Sequence, residues 1–94
     1  ERNSNIGEIA MEQFETGMMA RSKSGHDAGK VYVITKVEEA YVYLVDGKVR
    51  TLDKPKKKKK KHVQLIKESF DIQGATDVDI KRWIKIWNKE DNQN

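Results

Sequence analysis

The sequence predicts a mainly β fold, a small five-stranded barrel followed by a C-terminal α-helix. Three observations carry that expectation: short runs of β-branched and aromatic residues separated by turn-forming residues, an Asp46-Gly47 hairpin signal between two of those runs, and a change to helical spacing after Thr76. At 94 residues the chain supports one domain with one modest core. It divides into an N-terminal extension over residues 1–15, a barrel over 16–66, a linker over 67–75, a helix over 76–90 and a polar tail over 91–94.

Residues 1–10 show little periodicity. Met11 is a natural first residue for the domain, and the acidic stretch Met11-Glu12-Gln13-Phe14-Glu15 suits one helical turn covering a barrel edge. A first short strand is expected around Gly17-Met18-Met19-Ala20, within residues 16–22. Ser24-Gly25-His26-Asp27-Ala28-Gly29 has the small, turn-forming composition of a tight loop. The second strand covers residues 30–37, with Val31 and Val33 on one face, Tyr32 and Ile34 on the other, and Val37 in the Val31 phase. Tyr41-Val42-Tyr43-Leu44-Val45 reads as the third strand, with Tyr41 and Tyr43 sharing a face and assigned to core packing. After the Asp46-Gly47 turn, Lys48-Val49-Arg50-Thr51-Leu52 alternates as a fourth strand, which places Lys48 and Arg50 on one solvated face. Asp53-Lys54-Pro55 breaks the pattern, six consecutive lysines follow, and His62-Val63-Gln64-Leu65-Ile66 supplies a fifth strand. Five short strands within about fifty residues make a small barrel.

Thr76 to Asp79 has capping-box spacing with Asp in the place of the usual Glu. Ile80, Trp83, Ile84 and Trp87 then lie at i, i+3, i+4 and i+7, a stripe that packs the helix onto the barrel or docks on a partner protein. Lys81, Arg82, Lys85 and Lys89 lie mainly on other faces.

Charge is uneven along the chain. The formal net charge is +4, yet residues 16–62 alone hold thirteen Lys or Arg against five Asp or Glu, a surplus of eight. That segment is the expected contact surface for a polyanion. The mean hydropathy of -0.86 predicts solubility, and no apolar run approaches the roughly 18 residues of a membrane span. The N-terminal stretch carries acids and amides where a secretory signal needs a basic region and an apolar run, so a cytoplasmic location is expected. The absence of cysteine removes disulfides and thiolate chemistry.

Gly25 and Gly29 allow positive φ and close approach of backbone amides to a phosphate, with Lys23 and Lys30 flanking the opening. Taken alone, the segment reads as a strand connection whose glycines relieve strain; the charge map favours phosphate contact. The lysine run has the same two readings, solvated tract or phosphate contact, and its position inside a basic domain favours contact. Extended, six residues span about 20 Å, comparable to several phosphate spacings. Lysine is a point charge and cannot read bases in bidentate fashion, so sequence specificity must come from elsewhere. Tyr32, beside the loop, has two readings, core packing and stacking on an unpaired base.

The segments Gly17-Met18-Met19-Ala20-Arg21-Ser22, Gly25-His26-Asp27-Ala28-Gly29-Lys30-Val31-Tyr32-Val33-Ile34, Val45-Asp46-Gly47-Lys48-Val49-Arg50 and Lys54-Pro55-Lys56-Lys57-Lys58-Lys59 resemble the short bacterial KOW-domain RNA-binding proteins. Those are relatives of the KOW-type large-subunit ribosomal proteins of archaea and eukaryotes. Thr76-Asp77-Val78-Asp79-Ile80-Lys81-Arg82-Trp83 is similar to the tail helix of that family. The stretch before Met11 and the two tryptophans depart from it. The resemblance implies an SH3-like barrel whose loop around residues 25–30 faces RNA, with large-subunit ribosomal RNA as ligand and ribosomal proteins as neighbours.

The candidate RNA-contacting set is Arg21, Lys23, Gly25, His26, Gly29, Lys30, Lys48, Arg50, Lys54 and the run Lys56, Lys57, Lys58, Lys59, Lys60 and Lys61. No catalytic motif, P-loop or dinucleotide fingerprint occurs, and His26 and His62 are not spaced as metal ligands. The expectation is a non-enzymatic RNA-binding protein without cofactor, metal, small-molecule substrate or membrane contact. The alternative is a protein-interaction module that contacts a transcription or translation factor through the barrel and the tryptophan helix.

Overall fold

The computed structural model describes residues 13–91. Five antiparallel strands, β1 (Met18–Ser22), β2 (Val31–Val37), β3 (Tyr41–Val45), β4 (Lys56–Lys59) and β5 (Val63–Ser69), form one sheet in the order β4-β3-β2-β1-β5. A 3-10 turn, Lys60–His62, joins the two edge strands, and a single helix, α1 (Asp77–Asp91), follows. The fold is mainly β with a C-terminal helix, as the sequence predicts, and the sheet curls into a half-barrel consistent with a small SH3-like barrel. Of the helical turn expected over Met11 to Glu15, the first two residues lie outside the described region. Gln13, Phe14 and Glu15 are not helical.

Both faces of the central strands are buried, so they read as near-continuous apolar runs. Met19, Val31, Val33 and Val45 face α1, whose Ile80 and Ile84 complete that cluster. Ala20, Tyr32, Ile34, Val42, Leu44 and Val63 fill the concave side, with Phe14 and Leu65 packed against them. Val37 belongs to this second cluster and not to the Val31 phase. The register shifts between Ile34 and Lys36, a bulge that reverses the alternation and sets Val37 opposite Val42.

The largest departure from expectation is the fourth strand. Residues 48–52 do not pair with β3, because the Asp46 carboxylate intercepts their amides. Its Oδ1 accepts hydrogen bonds from the backbone N–H of Lys48, Val49 and Arg50 at 2.9, 3.0 and 2.8 Å. The amides of Asp46 and Gly47 in turn donate to the Arg50 carbonyl at 2.9 and 3.0 Å, closing a compact turn. Gly47, at φ +78, is pressed against the start of α1, and a Cβ there would overlap the Asp77 carbonyl oxygen. A second turn follows, bridged between Thr51 and Lys54, and the Leu52 amide donates to Asp77 Oδ1 at 2.8 Å. The free edge of β3 is taken instead by the lysine run, with Leu44 opposite Lys56, Tyr43 opposite Lys57, Val42 opposite Lys58 and Tyr41 opposite Lys59.

β5 runs through Ser69, beyond the barrel boundary expected at residue 66, and pairs only with β1 among the described residues. His62 stands in the 3-10 turn and not in the strand. The chain then turns over Phe70 and Ile72, which join the helix-side cluster. The capping box forms reciprocally: the Thr76 amide donates to Asp79 Oδ2 at 3.0 Å and the Asp79 amide donates to Thr76 Oγ1 at 3.2 Å. Hydrogen bonds from the Thr76 backbone and hydroxyl hold the Asp79 carboxyl below its ordinary range.

The apolar stripe of α1 packs inward. Ile80 is fully buried and Ile84 nearly so, while Trp83 stacks on Phe70 with ring centroids 4.7 Å apart and planes 4° from parallel. Val78, on another face, is 60% exposed. Ile80→Ala should therefore lower unfolding free energy by about 2–4 kcal/mol in chemical denaturation, and Val78→Ala by about 0.5 kcal/mol or less. Equal effects of the two substitutions would contradict the packing of α1 on the sheet.

Candidate nucleic-acid interface

The β1–β2 loop is built from its own backbone. Gly25 and Gly29 adopt φ +87 and +91. The amides of Ala28, Gly29 and Lys30 donate to the carbonyls of Gly25, Ser22 and Asp27 at 3.2, 2.8 and 2.9 Å. Those three N–H groups are committed to the loop and are not free to meet a phosphate. The loop's outward polar side chains are Lys23, His26 and Lys30, all exposed.

What the loop holds inward is Asp27, only 6% exposed. Its Oδ1 accepts from Ser22 Oγ at 2.8 Å and its Oδ2 from the Tyr32 hydroxyl at 2.9 Å. Two lysines reach it from β4: Lys56 Nζ lies 2.9 Å from Oδ2 and Lys58 Nζ 3.0 Å from Oδ1. Lys58 also donates to the Ser24 carbonyl at 2.9 Å, and its side chain is 10% exposed. Burial alone would raise the Asp27 carboxyl, but hydrogen bonds from Lys56, Lys58, Ser22 and Tyr32 outweigh it and hold the group well below the usual carboxylate range. Burial, together with the hydrogen bond and charge of Asp27, pushes the Tyr32 hydroxyl above its ordinary value. Tyr32 is thus a core residue tied to Asp27 and offers no face to a base.

This cluster divides the lysine run by strand alternation. Lys56 and Lys58 point to the concave side and are engaged with Asp27, whereas Lys57 and Lys59 point outward beside Tyr43 and Tyr41. Tyr41 and Tyr43, expected in the core, belong to neither apolar cluster. They stand half-exposed on the outer face, because residues 48–52 do not cover them and the β4 residues opposite are lysines. Lys57 Nζ lies 4.5 Å from the Tyr41 ring centroid and 5.9 Å from that of Tyr43, and Lys36 Nζ lies 5.2 Å from the latter. Glu38 tempers this patch, accepting from the Tyr43 hydroxyl at 3.3 Å and lying 3.6 and 3.9 Å from Lys36 and Lys57. Past β4, Lys60 lies over the Phe14 ring at 5.5 Å and Lys61 is exposed.

The other candidates are spread over the opposite end of the sheet. Lys48 and Lys54 are exposed and Arg50 half-exposed around the turn built on Asp46. The Arg21 guanidinium donates to the Gly29 carbonyl at 3.4 Å and stands 5.5 Å over the Trp87 ring. Asp27 is the residue that sequence reasoning missed. The available signal is that Asp27 is the one acid between Glu15 and Glu38, with lysines at strand period later in the chain. Among the described residues, no cluster of three or more His, Asp or Glu is placed to hold a metal ion, and no helix is long and apolar enough to cross a membrane.

Asp27→Asn should leave the Lys58 ammonium with little water and no counter-charge, costing about 3–5 kcal/mol at pH 7. The Asp27 carboxyl is depressed in the folded protein, so its contribution is complete above the unfolded value near 3.8 and fades as pH falls below it. Unfolding curves at pH 7 and pH 3 should show a smaller loss on acidification in the Asn variant than in the parent; a variant as stable as the parent at pH 7 would contradict the role of the pair. No protein-family model matches the chain, and no curated protein matches it.

Proposed function

We propose that this chain is a non-enzymatic RNA-binding protein of the cytoplasm that associates with the ribosome and docks on large-subunit ribosomal RNA. The observation that carries the proposal is the outward pair of cations on a fixed strand, Lys57 and Lys59, with exposed Lys61 just beyond it and Tyr41 and Tyr43 alongside. A strand holds alternate side chains about 6.4–6.8 Å apart, close to two of the roughly 3.4 Å steps between phosphates along one nucleic-acid strand. Because the backbone is already ordered by pairing with β3, the lysines engage phosphates without first immobilising a flexible tract.

Lysine ammonium groups position a backbone and do not read bases. The two tyrosines add a second kind of contact, since an unpaired base that displaces Lys57 can stack on either ring for roughly 1–3 kcal/mol. Structured RNA with accessible loops therefore suits this surface better than an uninterrupted duplex. The resemblance of residues 17–61 to KOW-domain proteins narrows RNA in general to ribosomal RNA. A protein-docking reading has one observation in its favour, an apolar cleft of about 210 Å³ lined by Glu68, Phe70, Trp83, Ile86 and Trp87, with Ile86 49% exposed.

Sedimentation through a sucrose gradient with large ribosomal subunits separates the two readings. Co-migration at low salt that disappears at high salt, and is lost when Lys57, Lys59, Lys60 and Lys61 are changed to Gln, is the expected result. If the three outward phosphate contacts of Lys57, Lys59 and Lys61 are removed, the slope of log affinity against log salt should flatten by about 2.5. Co-migration indifferent to salt and to those lysines but abolished by Trp87→Ala would replace RNA docking with protein docking. Migration at the top of the gradient under every condition would remove the ribosome.

A further inference from the structure

A second basic surface lies between the half-barrel and the helix. The β1–β2 loop, the turn built on Asp46 and one face of α1 border an open groove of about 560 Å³. That volume lies within the range of about 300–1,000 Å³ usual for clefts that hold ligands. Its floor is apolar, from Val31 of β2 and Ile84 of α1. Four lysines converge on it from three separate elements: Lys30 from the loop, Lys48 from the turn, and Lys81 and Lys85 from successive turns of the helix. Residues 81, 85 and 88 lie at i, i+4 and i+7, so the helix offers Lys81, Lys85 and Asn88 along one continuous face.

The groove is strongly unbalanced in charge. All four lysines are exposed, and none forms an ion pair among the described residues. The one acid in the lining is Asp46, whose Oδ1 already accepts three backbone amides. Convergence of like charges over a low-dielectric floor focuses positive potential and disfavours the empty state, which an entering anion relieves. The fold also holds these parts together tightly: Gly47 is packed against the Asp77 carbonyl, and the Leu52 amide donates to the Asp77 carboxylate at 2.8 Å. The turn and the helix are therefore one rigid wall.

We infer that this groove is a second RNA-contact site, binding a stretch of phosphodiester backbone through Lys30, Lys48, Lys81 and Lys85, with Asn88 available to a ribose hydroxyl. The inference rests on the RNA-binding reading and extends it to α1. The chemistry favours a sugar–phosphate path over a base pocket. The lining carries point-charge ammonium groups and apolar side chains but no aromatic ring to stack a base, and the groove is open instead of enclosed. The helix then has two faces with two jobs. Ile80 and Ile84 fix it to the sheet while Lys81 and Lys85 extend the basic surface.

The test uses a fluorescein-labelled RNA hairpin with a ten-nucleotide single-stranded tail, titrated with the full chain over a range of salt. The parent, the Lys81→Gln/Lys85→Gln variant and the variant with Lys57, Lys59, Lys60 and Lys61 changed to Gln are compared. Loss of two phosphate contacts should flatten the salt slope by about 1.5 and weaken binding roughly 20- to 60-fold near 0.1 M salt. Both substituted side chains are exposed and Gln is a good helix former, so the melting temperature should hold. An unchanged slope in the helix variant, beside a clear loss in the β4 variant, would overturn the groove while leaving RNA binding intact. No binding by the parent would overturn both. An equal loss for a poly-glutamate probe of matched charge would also overturn it, because the groove would then select charge and not phosphodiester.

Discussion

The architecture depends on one buried carboxylate. Asp27 sits 6% exposed at the mouth of the concave side, where an unpaired charge would be intolerable, and its four donors come from β1, β2 and β4. Lys56 and Lys58 satisfy it, and in doing so they fix which way every residue of β4 points. A run of lysines is a poor strand on propensity and self-repelling on charge. It forms one here because alternate members are neutralised from within while the others reach water.

The same arrangement explains how a low-complexity tract gives a defined surface. With Lys56 and Lys58 turned inward, Lys57 and Lys59 are held outward beside Tyr41 and Tyr43, and the 3-10 turn carries Lys60 and Lys61 on from there. The basic segment seen in the charge map is therefore not uniformly available to a polyanion. Part of it is structure, part is the proposed contact at the β4 edge, and Lys30 and Lys48 belong to the groove against α1.

Much of the fold was legible where one principle acted alone. β3 matches its apolar run residue for residue, and β2 is only one residue shorter than expected. The inward stripe of α1 and its capping box follow directly from spacing. Legibility failed where a side chain competed with the backbone pattern. Lys48 to Leu52 alternates like a strand, but the Asp46 carboxylate takes the amides a strand would need. Val37 leaves the Val31 phase at a bulge that no local signal marks, and the tyrosines of β3 stand outside the core because the lysine run, not residues 48–52, takes the neighbouring edge. The site was legible as a basic segment, not as geometry. Asp27 meets Lys58 across 31 positions of sequence, and Lys81 comes to line one groove with Lys30 only once the helix is docked.

The division of the lysine run into inward and outward members is the claim on which fold and function both turn. It is tested most directly by replacing Lys56, Lys57, Lys58, Lys59 and Lys61 singly with Gln and measuring unfolding free energy and RNA affinity on the same samples. Lys56→Gln and Lys58→Gln should destabilise the fold, with Lys58→Gln the larger effect, and leave the salt dependence of binding near that of the parent. Lys57→Gln, Lys59→Gln and Lys61→Gln should leave stability unchanged and each weaken binding roughly five-fold near 0.1 M salt. Five equivalent positions, each weakening binding at no cost in stability, would show a flexible basic arm and contradict the account.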